Sequence, residues 1–129
     1  MPGASGTLFR RILLLQRDVP SAAAFYERAL GLRVAVCTET YAEIPLVDSP
    51  NPTLDAPALA LQRTDHEAQL TCGYTPIVHF EVRDIQTRVN EALRLGGRLD
   101  GAIRYDARGA TCALRAPDGH MIGLFEPSE

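Results

Sequence analysis

Several features are scarce in this sequence, and each scarcity excludes a class of protein. The 129-residue chain has no tryptophan and only three cysteines (Cys37, Cys72 and Cys112), none of them in a C-x-x-C pair. An odd count without such a pair predicts reduced, mostly buried thiols rather than a disulfide framework, which indicates the cytoplasm. The formal net charge of −3 predicts no nucleic-acid partner. No apolar run approaches the roughly 20 residues of a membrane-spanning helix, so no membrane segment is expected.

What the chain does contain is an internal repeat. The motif Q-R-D-V (16–19) closes an apolar run and opens a helical pattern that ends at Gly31, and V-R-D-I (82–85) opens another that ends at Gly97. Asp18 to Gly31 and Asp84 to Gly97 are each 13 residues apart, and the two copies are 66 residues apart. A repeat on this scale predicts two equivalent modules packed into one body.

Each module is predicted to be a strand, a helix and three further strands. Asp18 and Asp84 are good N-cap residues, and the glycines that follow each apolar stripe end the helices. A proline-punctuated loop is predicted over 48–57, and Asp118-Gly119 is a strong hairpin signal. The predicted strands cover 11–16, 32–38, 40–47, 58–63, 77–82, about 103–105, 111–115 and 121–125.

One helix covers only one face of a sheet, so the other face of each module is left to line a cleft. The sequence therefore predicts the α+β class, with two βαβββ modules in tandem that form a paired half-barrel around a central cleft. We expect one domain over 1–129, with module one at about 8–63, a connector at 64–76 and module two at about 77–127.

Two stretches carry a resemblance to a known family. Residues D-V-P-S-A-A-A-F-Y-E-R-A-L-G-L (18–32) and A-P-D-G-H-M-I-G-L (116–124) resemble the vicinal oxygen chelate superfamily, also called the glyoxalase/bleomycin-resistance/dioxygenase superfamily. The likeness extends over about 8–127 and implies the same fold. It leaves the activity open, because the superfamily includes isomerases, epimerases, dioxygenases, thiol transferases and metal-free drug-binding proteins.

The resemblance also implies positions for a divalent metal ion, held by His or Gln on the first strand of each module and by Glu on the last. These positions fall at Arg11, at Ile77, at Gly123 and within 58–62, where Gln62 is the only donor. A guanidinium repels a cation, and an aliphatic side chain offers no lone pair. No cofactor is therefore predicted. The alternative is a metal-dependent glyoxalase-like lyase or isomerase with shifted register or unconventional ligands, using nickel, cobalt, zinc, manganese or iron.

Strand alternation, together with the resemblance, places candidate side chains in the cleft. His79 and Glu81 are the catalytic candidates, because a carboxylate beside an imidazole can support a general base. Their alternative role is to line a polar cleft without catalysing. Cys112 and Leu114 are also expected to face the cleft. The ligand-binding candidates are Arg11, Leu13, Tyr41, Glu43, Ile77, Met121, Gly123 and Phe125.

Arg11 is the candidate that selects a ligand, since its planar fork matches a carboxylate, phosphate or enolate oxygen. Its alternative is an ion pair with Glu81 or Glu43. The function predicted is binding, or metal-independent transformation, of a small organic molecule between the modules. Whether the protein is an enzyme stays open, with a lyase or isomerase as the class if it is active, and a module for association alone is a further alternative. The expected setting is a homodimer in the cytoplasm, with a removed organelle transit peptide left open.

Overall fold

The computed structural model describes residues 6–46 and 57–129, and it arranges them into two sheets and two α-helices. Of the predicted loop over 48–57, only Pro57 belongs to the described residues. The helices are α1 (Val19–Leu30) and α2 (Ile85–Arg94), and the connector holds a short 3₁₀ helix, Glu67–Leu70. The strands are β1 (Arg11–Gln16), β2 (Val36–Cys37), β3 (Tyr41–Pro45), β4 (Ala58–Arg63), β5 (Val78–Glu81), β6 (Arg98–Leu99), β7 (Arg104–Asp106), β8 (Gly109–Arg115) and β9 (Met121–Pro127).

Both helices begin where the sequence predicts. The Asp18 carboxylate accepts hydrogen bonds from the backbone N–H of Ser21 at 3.1 Å and from its hydroxyl at 2.9 Å. Asp84 repeats this cap on Thr87, at 3.2 and 2.8 Å. Each carboxylate thereby satisfies a donor that the first helical turn leaves unpaired. Gly31 ends α1 in the left-handed conformation, with φ of 71°.

The two modules share one strand order. The first sheet runs β1-β4-β3-β2 and the second runs β5-β9-β8-β6, with β7 also paired to β8. In each sheet the first and last strands of the module, β1 with β4 and β5 with β9, lie side by side in parallel, and the other pairs are antiparallel. The α+β class and the tandem βαβββ modules are therefore confirmed.

The second module departs from the predicted repeat in two places. Helix α2 ends at Arg94, three residues before Gly97, because the Gly97 N–H already turns back to the carbonyl of Ala92 at 2.8 Å. The outer strand is split: β6 and β7 pair with successive parts of β8, so together they hold the place that β2 has in the first module. Strand β6 was not predicted from the sequence, because two residues are too few to show an alternating pattern.

Alternate residues of each strand point to the helices and form one continuous core. In the second module this face includes Cys112 and Leu114, which pair with Leu124 and Ile122 of β9. The prediction that Cys112 and Leu114 face the cleft is therefore wrong. The register between β8 and β9 decides this, because a shift of one residue moves every side chain of a strand to the opposite face.

Polar contacts join the two modules at this core. The Asp118 carboxylate of the β8–β9 hairpin accepts a hydrogen bond from Gln16 Nε2 at 2.8 Å and another from the Tyr26 hydroxyl at 2.9 Å. Between the helices, Arg88 Nη1 donates to the carbonyl of Ala29 at 3.2 Å. Among the described residues, neither α-helix has the length and apolar character needed to cross a membrane.

Candidate functional site

The open face of the first sheet carries the residues that alternation predicts. In β1, Leu14 is buried in the core, whereas Leu13 beside it is 44% exposed. Arg11 shares the face of Leu13, and the pairing with β4 continues that face through Ala58, Ala60 and Gln62. Strand β1 thus turns Leu14 to the core and leaves Leu13 on the other face.

Arg11, Tyr41 and Glu43 form a polar chain across this face. Arg11 Nη1 donates to the Tyr41 hydroxyl at 2.6 Å, and that hydroxyl donates to Glu43 Oε2 at 2.6 Å. The guanidinium carbon also lies 5.8 Å from the centre of the tyrosine ring, within the range of a cation–π contact. Partial burial and the Glu43 carboxylate raise the pKa of Tyr41, so the phenol keeps its proton at neutral pH. Arg11 and Glu43, for which an ion pair was one expectation, are thus joined through the Tyr41 hydroxyl, which hydrogen-bonds to both side chains.

These three hydrogen-bonded side chains extend across β4, which lies between β1 and β3 in the sheet. The β4 residue between Leu13 and Glu43 on this face is Ala60. Leu13 and His79 both precede their helix-capping aspartate by five residues, and His79 pairs with Gly123 as Leu13 pairs with Ala60. Ala60 and Gly123 are therefore equivalent positions in the two modules.

His79 occupies the space above Gly123. A methyl group built on Gly123 would meet the imidazole: Cδ2 and Cε1 of His79 would lie 2.7 Å from it, with Nε2 also in contact. A Cβ atom in a real protein does not come this close to a carbon of another side chain. The imidazole of His79 therefore fills the space that a side chain at residue 123 would need. The absence of a side chain at Gly123 is what allows His79 to cover the strand.

A cavity of about 680 Å³ lies beside β5 and the end of α1. The consecutive residues 76–82 all line it, so the cavity follows the free edge of β5, and His79 and Glu81 are the ionisable residues among them. The rest of its wall is mainly apolar, from Ile12, Leu30, Leu32, Leu46, Pro76, Val78, Phe80 and Val82. We refer to it as the β5 cavity. A mainly apolar wall with few polar groups is typical of a small-molecule pocket.

The remaining candidates lie on the open faces without lining the β5 cavity. Met121 and Phe125 share the face of Gly123 in β9, and Phe125 pairs with Glu81. In the part of the chain that the structure describes, no hydrogen bond or ion pair joins His79 to Glu81, and none joins either residue to the Arg11 chain. The structure thus gathers Ile77, His79 and Glu81, and separately Arg11, Tyr41 and Glu43.

The residues at the metal positions of the family do not fit a divalent ion. Arg11 carries a positive charge and is bonded to Tyr41, while Ile77, Ala60 and Gly123 offer no donor atom. Within residues 6–46 and 57–129 there is no group of three or more His, Cys, Asp or Glu side chains placed to hold a metal ion. A metal site built from these positions would lack the three or four converging donors that such ions require.

Sequence reasoning missed a polar cluster at the junction of the modules. His120, which follows the Asp118-Gly119 turn, places Nε2 2.9 Å from the carbonyl of Leu15 and Nδ1 3.4 Å from the sulfur of Cys72. Burial, followed by the charge of Asp118, raises the pKa of the Cys72 thiol, which favours an unreactive thiol. The one sequence signal for this cluster is Gln16, a polar residue that ends an apolar strand and is 1% exposed.

Comparisons with known proteins agree with the fold. Residues 11–125 match the model of a family described as a glyoxalase-like domain. A glyoxalase/bleomycin resistance protein/dioxygenase family enzyme from Burkholderia phytofirmans PsJN superposes with a TM-score of 0.71 at 15% identity, over 95% of this chain and 100% of that one. The bleomycin-binding protein of Streptomyces verticillus, solved with copper(II)-bleomycin, gives 0.61 at 19% identity over 95% and 98% of the chains.

A fosfomycin resistance protein from Mesorhizobium loti gives a TM-score of 0.65 at 15% identity, over 95% of this chain and 92% of that one. No curated protein matches the chain in sequence. At these identities the solved structures show a shared fold, and the chemistry of each chain depends on its own residues.

Proposed function

Because the chain belongs to the glyoxalase-like domain family, we propose that it binds a small organic molecule in the β5 cavity without using a metal ion. The observation that carries this proposal is the wall of that cavity, which is mainly apolar and presents His79 and Glu81. Its volume of about 680 Å³ lies in the range of pockets that enclose small ligands. The bleomycin-binding protein of Streptomyces verticillus supports the proposal, since its fold is the same and its name states a drug as ligand.

Arg11 lies outside the lining of the β5 cavity, on the open face of the first sheet, and we propose that it contacts only a ligand long enough to extend from the cavity onto that face. Within the described residues its guanidinium makes one hydrogen bond, to Tyr41, and a guanidinium has five N–H donors. The remaining donors suit an acidic oxygen, such as a carboxylate, phosphate or enolate. We therefore expect a ligand with an apolar body and one acidic group.

His79 is the group in the β5 cavity that can move a proton. Imidazole is the side chain most often used as a general base, and Glu81 lies two residues further along β5 on the same face. If the ligand carries an acidic C–H bond, the chemistry that fits is a metal-independent isomerisation or elimination with His79 as the base. Binding alone requires no such step, and the two are separated by incubating each bound compound with the protein and analysing the products.

Ligand-induced thermal shifts test the proposal. A ligand at one hundred times its dissociation constant adds about 2.7 kcal/mol to the free energy of unfolding. We expect hits from a metabolite screen whose shifts fall in His79→Ala and Arg11→Ala. The matched controls are His66→Ala and Arg108→Ala, at exposed positions away from the β5 cavity, and these should keep the full shift. If both site variants keep it as well, the site is wrong.

The metal-dependent alternative has its own measurement. Elemental analysis of the purified protein, followed by titration with nickel, cobalt and zinc, is expected to find less than one ion bound per chain. Stoichiometric metal, or turnover of a methylglyoxal–thiol adduct that a chelator abolishes, would favour the glyoxalase-like lyase or isomerase.

We further propose that the chain, as one domain over 1–129, works as a homodimer in the cytoplasm. The exposed open face around Leu13 supports a second copy as its cover, since exposed apolar faces mark association surfaces. Light scattering after size-exclusion chromatography should give twice the chain mass of 14.1 kDa. A mass of one chain across the micromolar range would exclude a stable dimer.

A further inference from the structure

A second cavity lies at the other end of α1. It has a volume of about 430 Å³, and it is bounded by the first turns of α1, by Leu70 of the connector and by residues 117–119 of the β8–β9 hairpin. We call it the seam cavity, because both modules and the connector contribute to its wall. Ala22 lines the seam cavity and Leu30 lines the β5 cavity. At 1.5 Å per residue, these two positions are about 12 Å apart along the helix. The two cavities are therefore distinct.

The polar side of the seam cavity is a fixed carboxylate. Asp118 Oδ2 accepts from Gln16 Nε2 at 2.8 Å and from the Tyr26 hydroxyl at 2.9 Å, and Oδ1 accepts from the His120 backbone N–H at 3.0 Å. All three donors are neutral, so they orient the negative charge without cancelling it. A carboxylate offers about four acceptor positions, which leaves one for a further donor.

The other charges of the wall do not compensate Asp118. Asp18 adds a second carboxylate, and its hydrogen bonds to the Ser21 backbone N–H and hydroxyl lower its pKa, so it stays ionised at neutral pH. The one cation of the wall, Arg17, is bonded to Glu67 at 2.8 Å, with both side chains turned to solvent. The lining residues therefore include one more carboxylate than cations. Two cations lie beside the lining: Arg63, whose charge also lowers the pKa of Asp18, and Arg115, whose Nη1 donates to the Gly119 carbonyl at 2.6 Å.

The lining also has an apolar part. It is formed by Ala22, Phe25, Leu70 and Pro117. The Phe25 ring is held edge-on against Tyr26, with the centroids 5.4 Å apart and the planes at 81°. Since Tyr26 also binds Asp118, one aromatic pair holds both the apolar wall and the carboxylate in place.

We propose that the seam cavity is a second binding site, which takes an organic ammonium ion with an aromatic group attached. The ammonium N–H donates to the remaining acceptor position of Asp118, and the aromatic group packs on Phe25, Leu70 and Pro117. Anionic ligands, which suit Arg11 in the proposed function, are excluded here by the two carboxylates.

Phenethylammonium, phenylacetate and 2-phenylethanol are matched probes, because they share one aromatic body and differ in the charge of the end group. In ¹H–¹⁵N NMR titrations at millimolar concentration, we expect phenethylammonium to shift the amide signals of Ala22, Phe25 and Gly119 in a saturable way. The His79 and Glu81 signals serve as the internal reference for the β5 cavity. Phenylacetate and 2-phenylethanol should bind the seam cavity at least tenfold more weakly.

Two variants locate the binding. Asp118→Asn removes the charge and should weaken phenethylammonium at least tenfold. Ala22→Leu fills the cavity without touching the carboxylate and should abolish the shifts, whereas Ala24→Leu, on the same helix and outside the lining, should not. Circular dichroism checks that each variant is folded, and if Asp118→Asn unfolds the hairpin, the Ala22→Leu result decides.

Three results would overturn the proposal. These are equal binding of phenylacetate, no saturable shift at the three seam signals, or shifts that persist in folded Ala22→Leu. None of them bears on the β5 cavity, whose test uses different residues and ligands of opposite charge.

Discussion

The contact between His79 and Gly123 leads to a sharp prediction for Gly123→Ala. The added methyl group would come within 2.7 Å of two carbons of the imidazole, so the ring must leave its place over β9. His79 is exposed and its ring is the free end of the side chain, so it can rotate towards solvent without moving the backbone. The cost of the substitution is therefore the lost packing of one ring and no distortion of the sheet.

Overpacking costs about 1–3 kcal/mol, and we expect the lower part of that range because the ring can move away. Alanine in a strand regains about 0.5–1 kcal/mol over glycine, since glycine loses more backbone entropy on folding. Gly123→Ala should then destabilise the wild-type background by about 1 kcal/mol. In the His79→Ala background the same change meets no ring and should stabilise by about 0.5 kcal/mol. The expected coupling energy is about 1.5 kcal/mol.

Urea unfolding of the four proteins, followed by circular dichroism, measures this coupling. Fluorescence is a poor probe here because the chain has no tryptophan. A coupling below about 0.3 kcal/mol, which is within the additivity expected of independent sites, would show that the imidazole does not lie over Gly123.

Three further predictions concern stability. Leu61→Ala should cost about 3 kcal/mol, because Leu61 is fully buried. Leu13→Ala, on the open face of the same sheet, should cost about 0.5 kcal/mol, and equal costs would refute the assigned faces. Burial and the charge of Asp118 raise the pKa of Tyr26 in the folded protein. The contribution of Tyr26 to the free energy of unfolding is therefore complete at neutral pH. It is lost above about pH 10, where the phenol ionises in the unfolded chain. Unfolding at pH 9–11 should show the wild type losing up to about 1.4 kcal/mol per pH unit more than Tyr26→Phe, and parallel profiles would contradict this. Arg17→Ala should cost less than about 1 kcal/mol by urea unfolding, because its ion pair with Glu67 is 70% and 75% exposed.

The helices and the faces of the first strands were predictable from the sequence because their signals are local. Asp18 and Asp84 cap through residues three positions ahead, and β5 alternates visibly in the chain, whereas the face of the apolar strand β1 followed from the family resemblance. The face of Cys112 was not predictable. It depends on how β8 pairs with β9 around a hairpin, and a shift of one residue reverses the result.

The candidate site also has features that the sequence predicted and contacts that only the structure shows. Alternation placed Arg11 and His79 on open faces, and both lie there. Nothing in the sequence indicated that Arg11 would reach Tyr41 across a neighbouring strand, or that His79 would cover Gly123. These contacts depend on side-chain reach between strands that are far apart in the chain. The catalytic role of His79 and Glu81 stays a prediction.

By itself, the sequence determined the duplicated module and the helix starts, because each follows from residue identity and short-range spacing. Only the tertiary structure decided how the modules meet. Asp118 binds Gln16 across 102 residues of chain, and the β5 and seam cavities exist only where the two modules and α1 come together. Periodicity describes one element at a time, and a cavity is a property of the packing between several.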